Sequence, residues 1–398
     1  MENYFELFPQ PLQVSDDGQR RSCLIKETTV SGESTEKELW FTYPAGLPMP
    51  EDDDCDSYLL AVLLAAMKSK ADITIHGSVS RELLANLTEL QYVWNKWLPK
   101  VCFLVDMKVE HIRENETRVS GAIVAFSGGV DAQFSAYRHA TGKAGYGNQA
   151  LRAGVLVHGF DIPLADTEGF SGAAQKASEA LNDLGLRLFT VRTNQRELWN
   201  INWEHYCGSA LASVLCGLKK CAGTGLIGSS EPYDALLMPW GSHPMTDPLR
   251  SSGSFKIIHD GAGFSRLEKM KVISEWQVGM QNLRVCWVGD KRDRNCGHCE
   301  KCVRVHLNFI LAGMPNPACF DGPLEASNFK SVALGSEFAR VVWRQIRSEI
   351  IDTGQGLEWL PQVEQVLKRK AGPSFSFLLP SGSRRRTWVK TSFKRYRK

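Results

Sequence analysis

The stretch Ala125-Phe126-Ser127-Gly128-Gly129-Val130-Asp131-Ala132 organises the chain. It follows an apolar run, Gly121 to Phe126, that reads as a buried strand, and it precedes small and polar residues that can open a helix. A strand, two adjacent glycines and a helix N-terminus gather several backbone N–H groups around one small volume, the arrangement that suits a phosphate. A side chain at either glycine would block close approach or forbid the turn. The competing reading is an ordinary Ser-Gly-Gly turn, so the surrounding segments carry the decision.

Working outward, residues 133–139 read as the first helix, 152–160 as an apolar strand, 171–184 as an Ala-rich helix and 186–191 as the next strand. Residues 202–218 form a long helical segment, and 223–227 and 255–259 two short strands. Strands alternating with helices predict an α/β fold built on a parallel sheet. Ligands in such sheets sit at the carboxyl ends of the strands. Four strand ends carry polar or glycine residues: Ser127 to Asp131, His158 to Asp161, Arg192 to Asn194 and Gly228 to Glu231.

Ser-Gly-Gly-Val-Asp after a buried strand resembles the signature of the PP-loop ATP pyrophosphatases, an adenine nucleotide alpha hydrolase-like family. The resemblance implies cleavage of ATP between its α and β phosphates, transfer of AMP to a substrate oxygen, and displacement of AMP by a nitrogen or sulfur nucleophile. It implies that Ser127, Gly128, Gly129, Val130 and Asp131 hold pyrophosphate, with Asp131 meeting magnesium or orienting the substrate. It places His158, Phe160 and Gly228 among the nucleotide contacts. Family members also set a basic residue on a helix after the last substrate loop, and Ser265 can cap a helix carrying Arg266 and Lys269. One departure stands out: the family has Ser or Thr after the Asp, and this chain has Ala132. The motif is not a Walker loop, because no Gly-Lys-Ser/Thr follows at the required spacing.

Residues 232–250 are broken by glycine and proline yet hold Trp, Ser, His, Thr and Asp. They read as a substrate-side loop with Ser242, His243 and Asp247 as candidates; a rigid structural crossover is the alternative.

The chain has eleven cysteines, an odd and unevenly spaced set that argues against a disulfide framework. Cys286-x9-Cys296-x2-Cys299-x2-Cys302 brings three thiolates onto one turn, and a fourth from the preceding segment completes a tetrahedron that suits structural zinc. An iron–sulfur cluster uses the same ligands. With Arg304 the pattern resembles the zinc knuckle of the 7-cyano-7-deazaguanine synthase branch, and His298 then faces outward. Cys207 and Cys216 lie in an apolar helical segment and read as small hydrophobes. Cys221 follows Lys219-Lys220, whose charge would lower its pKa, so it is a candidate thiol nucleophile.

At 398 residues the chain has room for two domains, and its 43% hydrophobic content is globular. The expected organisation is an α+β N-terminal domain (1–115), a PP-loop nucleotide-binding domain (116–283), a zinc knuckle with helices (284–372) and a basic tail (373–398). The run Glu51 to Asp56 reads as acidic residues favouring a helix start, with a metal-binding cluster as the alternative. Residues 329–351 read as a helix with a stripe of Phe338, Val341, Val342 and Ile346. The tail interleaves Arg384-Arg385-Arg386, Lys390, Lys394 and Arg395 with Trp388, Phe393 and Tyr396, a composition that suits tRNA or another polyanion as well as a solvated tail. A net charge of +3 does not itself identify a nucleic-acid binder. No apolar run reaches the ~20 residues of a membrane span, and no signal peptide is recognised, so a cytoplasmic location is expected.

The resulting expectation is an ATP-dependent, AMP-forming enzyme acting on a small molecule, with ATP, Mg2+ and Zn2+ and a nitrogen or sulfur donor; thionation of a purine-like base fits. A tRNA-modifying enzyme and a non-catalytic binding protein are the alternatives, and a homodimer stays open.

Overall fold

The computed structural model describes residues 3–286, 288–289, 291–335 and 337–369. The basic tail therefore lies outside the described residues. In chain order the elements are β1 (Asn3–Pro9), β2 (Gln13–Ser15), β3 (Gly18–Thr28), β4 (Ser34–Tyr43), α1 (Asp56–Ser69), β5 (Ala71–Ser80), α2 (Arg81–Trp97) and β6 (Met107–Arg113). They continue with β7 (Ala122–Ala125), α3 (Val130–Ala140), β8 (Leu151–His158), α4 (Thr167–Asp183), β9 (Arg187–Thr193), α5 (Gln195–Leu198), α6 (Trp203–Cys216), β10 (Thr224–Gly228) and β11 (Lys256–Asp260). The last helices are α7 (Arg266–Ile273), α8 (Gln277–Gln281), α9 (Glu300–Leu311), α10 (Glu337–Thr353) and α11 (Leu360–Lys368).

The fold is α/β with a mixed, mostly parallel sheet in the order β11-β10-β7-β8-β9-β4-β3-β1-β5-β6, with β2 paired to β3. The five strands from β11 to β9 are mutually parallel, as the strand–helix alternation predicts. The first six strands are not a separate body: β4 pairs antiparallel with β9 through Phe41↔Thr193 and Thr42↔Arg192, so the same sheet continues into the N-terminal segment. Residue 115 marks no break in this sheet. Among the described residues, compactness instead sets a first unit that runs to Cys296 and takes in Pro317–Asp321, and a second that takes in Gly297–Asn316 and the residues from Gly322 onward.

Asn194 explains how the short β4–β9 junction is held. Its side-chain amide accepts from Trp40 N–H at 3.1 Å and donates to Glu38 C=O at 2.7 Å, continuing the ladder where β9 has ended. Helix α1, apolar on every side, is buried along nearly its full length and packs on β5 and α6.

The acidic run has a role that composition did not reveal. Asp54 and Asp56 are buried, and both pair with Lys219 and Arg113; Lys219 Nζ lies 2.7 Å from Asp56 Oδ2, as does Arg113 Nη2. Asp56 Oδ1 also accepts from Ser80 N–H at 2.9 Å. Burial alone would raise the Asp56 pKa, but Lys219 and Arg113 hold it below the usual value. Each carboxylate is answered by fixed cations, so the cluster locks α1, β5 and β6 to the residues after α6.

In the second unit, Glu300 Oε1 accepts from Arg304 Nε at 2.9 Å and from Trp343 Nε1 at 2.8 Å, tying α9 to α10. Of the expected stripe, Ile346 lies on the buried face of α10 with Trp343 and Ile350; Val341 and Val342 are half-buried, and the Phe338 side chain lies outside the described set. The 329–351 segment is only partly α-helical, since α10 begins at Glu337 after a 3-10 turn over Ala326–Ser331.

Candidate functional site

Strand β7 is buried and ends at Ala125, and Phe126 N–H still bonds Val155 C=O at 2.8 Å. The chain then leaves the sheet through Ser127, Gly128 and Gly129 into α3. Gly128 adopts φ +77°, the left-handed region where a Cβ is disfavoured, so the glycine there meets a backbone requirement. Gln133 N–H bonds Gly129 C=O at 2.9 Å, closing the first turn of α3 on the loop.

Asp131, in that first turn, faces two cations from α7: Arg266 Nη2 and Lys269 Nζ each lie 3.2 Å from a carboxylate oxygen. Lys269 also donates to Ser229 C=O at the end of β10. Helix α7 is fixed by the expected cap, because Ser265 Oγ accepts from Glu268 N–H at 3.2 Å and Glu268 Oε2 accepts from Ser265 N–H at 2.7 Å. Gly228 is required by close approach: a Cβ there would sit 2.8 Å from Asp131 O. The structure thus brings together the glycine loop, Asp131, Gly228, Arg266 and Lys269 at the carboxyl ends of β7 and β10. Burial lowers the Lys269 pKa, and Arg266 adds to the shift against the opposing pull of Asp131. Two cations share the Asp131 carboxylate here, and Asp260 acts on Lys269 at longer range. Ala132 is buried in α3.

Other expected site residues are committed elsewhere. His158 is buried, stacks on Phe170 with centroids 4.2 Å apart, and lies 2.9 Å through Nε2 from Pro163 C=O. Burial lowers its pKa, so the neutral ring donates that bond. Phe160 is buried against Trp203. These are the contacts the two side chains make within the chain. Arg192 to Asn194 is likewise a strand end taken up by pairing with β4.

Residues 241–250 fold on themselves. Asp247 is fully buried and accepts from Ser242 Oγ at 2.6 Å, His259 Nδ1 at 2.7 Å and Arg250 Nη1 at 2.8 Å. Arg250 also donates to Ser209 Oγ and Gly241 C=O. His243 is buried edge-on to Trp97, and its Nδ1 accepts from Met245 N–H. Ser242 and Asp247, expected to face a substrate, are tied by these bonds into the segment's own network.

Cys221 is corrected too. Burial raises its pKa despite Arg187 and Arg152, and Lys219, expected to lower it, is instead turned into the Asp54–Asp56 cluster. Cys207 is pushed up to about 12 by burial, in line with a small hydrophobe.

The four sulfurs of Cys286, Cys296, Cys299 and Cys302 lie within 4.8 Å of one another. Tetrahedral zinc with ~2.3 Å bonds separates its sulfurs by about 3.8 Å, so the group fits such an ion. Gly297 turns the chain with φ +75°, and Cys299 Sγ accepts from Cys302 N–H at the start of α9. Two residues the motif did not expose complete the support. Asn295 accepts from Val285 and Cys286 N–H and donates to Leu283 and Cys319 C=O. Arg284, also buried, reaches Ser127 C=O. Their one sequence signal is position: each lies within two residues of a ligand cysteine.

No family model matches the chain, and neither curated proteins nor solved structures give a significant match. Among the described residues, no helix is long and apolar enough to cross a membrane.

Proposed function

We propose that residues 116–283 are a PP-loop nucleotide domain and that the chain is an ATP-dependent, AMP-forming enzyme acting in the cytoplasm on a small molecule. The observation that supports this most is the meeting of Lys269 and Arg266 with Asp131 beside the Gly128–Gly129 turn. Loop amides and cations fixed before reaction stabilise negative charge where it develops on a transferring phosphoryl group.

In this reading a substrate carbonyl or carboxyl oxygen attacks the α-phosphorus of ATP. The new O–P bond forms as the bond to pyrophosphate breaks, and its electron pair stays on the departing pyrophosphate oxygen, whose charge the loop amides and Lys269 stabilise. A nitrogen or sulfur nucleophile then attacks the activated carbon, and AMP departs with the C–O electrons. Asp131 is the carboxylate that would hold a magnesium ion riding on the phosphates. Zinc at the four cysteines is structural. Ala132 removes one loop hydroxyl and leaves the backbone donors unchanged.

The test is to incubate the protein with ATP, magnesium and a panel of small carbonyl and carboxyl compounds, with bulk tRNA as a separate arm, and to resolve AMP from ADP. AMP with pyrophosphate, dependent on one small-molecule class and lost in Asp131→Ala, is the expected result. Stimulation by tRNA alone moves the acceptor to RNA, and ADP as product or no stimulated turnover overturns the reading.

A further inference from the structure

Residues 282–286 lie against the glycine loop and lead to one sulfur ligand, Cys286, and residues 291–296 end at a second, Cys296. Arg284 N–H bonds Gly128 C=O at 2.9 Å, and Arg284 Nη2 donates to Ser127 C=O at 3.1 Å. The other guanidinium nitrogen, Nη1, donates to Cys286 C=O at 3.4 Å and Arg292 C=O at 3.3 Å. One buried side chain therefore spans from the loop to the backbone of a ligand cysteine. Gly128 packs directly on it, since a Cβ there would lie 3.6 Å from Arg284 Cβ.

The direction of these bonds matters. In a trans peptide the C=O and the following N–H point to opposite sides. Holding Ser127 C=O toward Arg284 turns Gly128 N–H away from it, and holding Gly128 C=O there does the same for Gly129 N–H. Two successive N–H groups are thereby aimed to one side, the arrangement that binds an anion. Gly129 N–H is met on that side by Ser127 Oγ at 3.3 Å, a long bond that a phosphate oxygen can replace. Arg284 also sets a buried positive charge behind the loop. Asn295 stiffens the same segment by bridging Val285, Cys286, Leu283 and Cys319.

We infer that Arg284 is a positioning residue that couples the four-cysteine site to the phosphate loop, so that filling the metal site orders the loop amides for a di- or triphosphate and emptying it releases them. The nucleotide arm of this inference rests on the proposed function; the ordering of the loop does not.

Two variants and one treatment test it, on the full chain with metal content measured. Arg284→Gln keeps the four cysteines and removes the charged donors. Its zinc content stays at the wild-type level, backbone amides of residues 127–130 exchange hydrogen faster, and the affinity for a fluorescent ATP analogue and for inorganic pyrophosphate falls about tenfold to a hundredfold. Arg284→Lys restores the charge without the fork and recovers only part of the affinity. Chelating the metal from the wild-type protein speeds exchange at the same amides; where chelation unfolds the chain, Arg284→Gln decides. Unchanged exchange at residues 127–130 in Arg284→Gln, or in folded metal-free protein, overturns the coupling. Wild-type protein that binds neither ATP nor pyrophosphate overturns the proposed function, and hydrogen exchange still decides the coupling.

Discussion

Two lysines buried to nearly the same depth, Lys219 and Lys269, have side chains 3% and 1% exposed. Burial lowers the pKa of each, but Asp56 and Asp54 more than reverse this at Lys219, whose pKa is raised, whereas Lys269 is bonded to a single carboxylate, Asp131, which it shares with Arg266, feels Asp260 only at longer range, and ends lowered. The first cluster is balanced by its own groups and enclosed between α1, β5 and β6; the second stands at strand ends beside two glycines, with two cations on one directly bonded carboxylate. Ion pairs of similar chemistry thus divide into one that holds the fold and one that, in the function we propose, receives an anion. What separates them is the number of carboxylates per cation, not the depth of burial.

The sharpest way to break this comparison is to remove each ammonium in turn. Lys219→Met leaves Asp54 and Asp56 short of a partner and should lower stability by about 3–5 kcal/mol in urea unfolding. Lys269→Met should lower stability far less, because at Lys269 the carboxylates do not offset the cost of burying the charge, while reducing AMP formation about 10²- to 10³-fold, the usual loss of one preorganised donor. Equal stability losses would erase the distinction between the clusters.

Linkage sharpens the contrast with pH. The raised Lys219 pKa contributes stability that is fully present below the ordinary lysine value of ~10.4 and is lost as pH rises through the folded value. The lowered Lys269 pKa works oppositely: the folded state resists its charging, a cost that is full below the folded value, shrinks as pH rises past it, and is gone above the ordinary value of ~10.4. Activity should therefore fall on an alkaline limb set below ~10.4 that Lys269→Met removes. A smaller intervention is Gly228→Ala, whose Cβ would press on Asp131 O and should weaken pyrophosphate binding with the fold intact. The smallest is Cys221→Ala, which should leave AMP formation unchanged.

Much of the parallel half of the sheet was legible because alternating strands and helices write their periods into the sequence. The glycine loop, the Ser265 cap and the cysteine spacing were legible for the same local reason. What was not legible is long-range. Nothing local in Asn194 says that its amide continues a ladder to β4, 156 residues earlier at Glu38, and nothing in Glu51 to Asp56 names Lys219 or Arg113 as partners. His158, Ser242 and Asp247 read as site residues because polar groups at strand ends and in irregular loops are exposed by default. Here the chain folds back and satisfies them. Arg284 was hidden by its neighbours: the cysteines beside it explained the segment, and its contact with the loop exists only in three dimensions.

The most direct measurement is exchange of radiolabelled pyrophosphate into ATP, made with a responsive substrate on wild type, Lys219→Met and Lys269→Met under conditions where all three are folded. The account predicts exchange in wild type and in folded Lys219→Met, with exchange in Lys269→Met reduced by two orders of magnitude or more. Exchange that survives in Lys269→Met, or that is lost equally in both variants, would contradict the assignment of the glycine loop and its two cations as the pyrophosphate site.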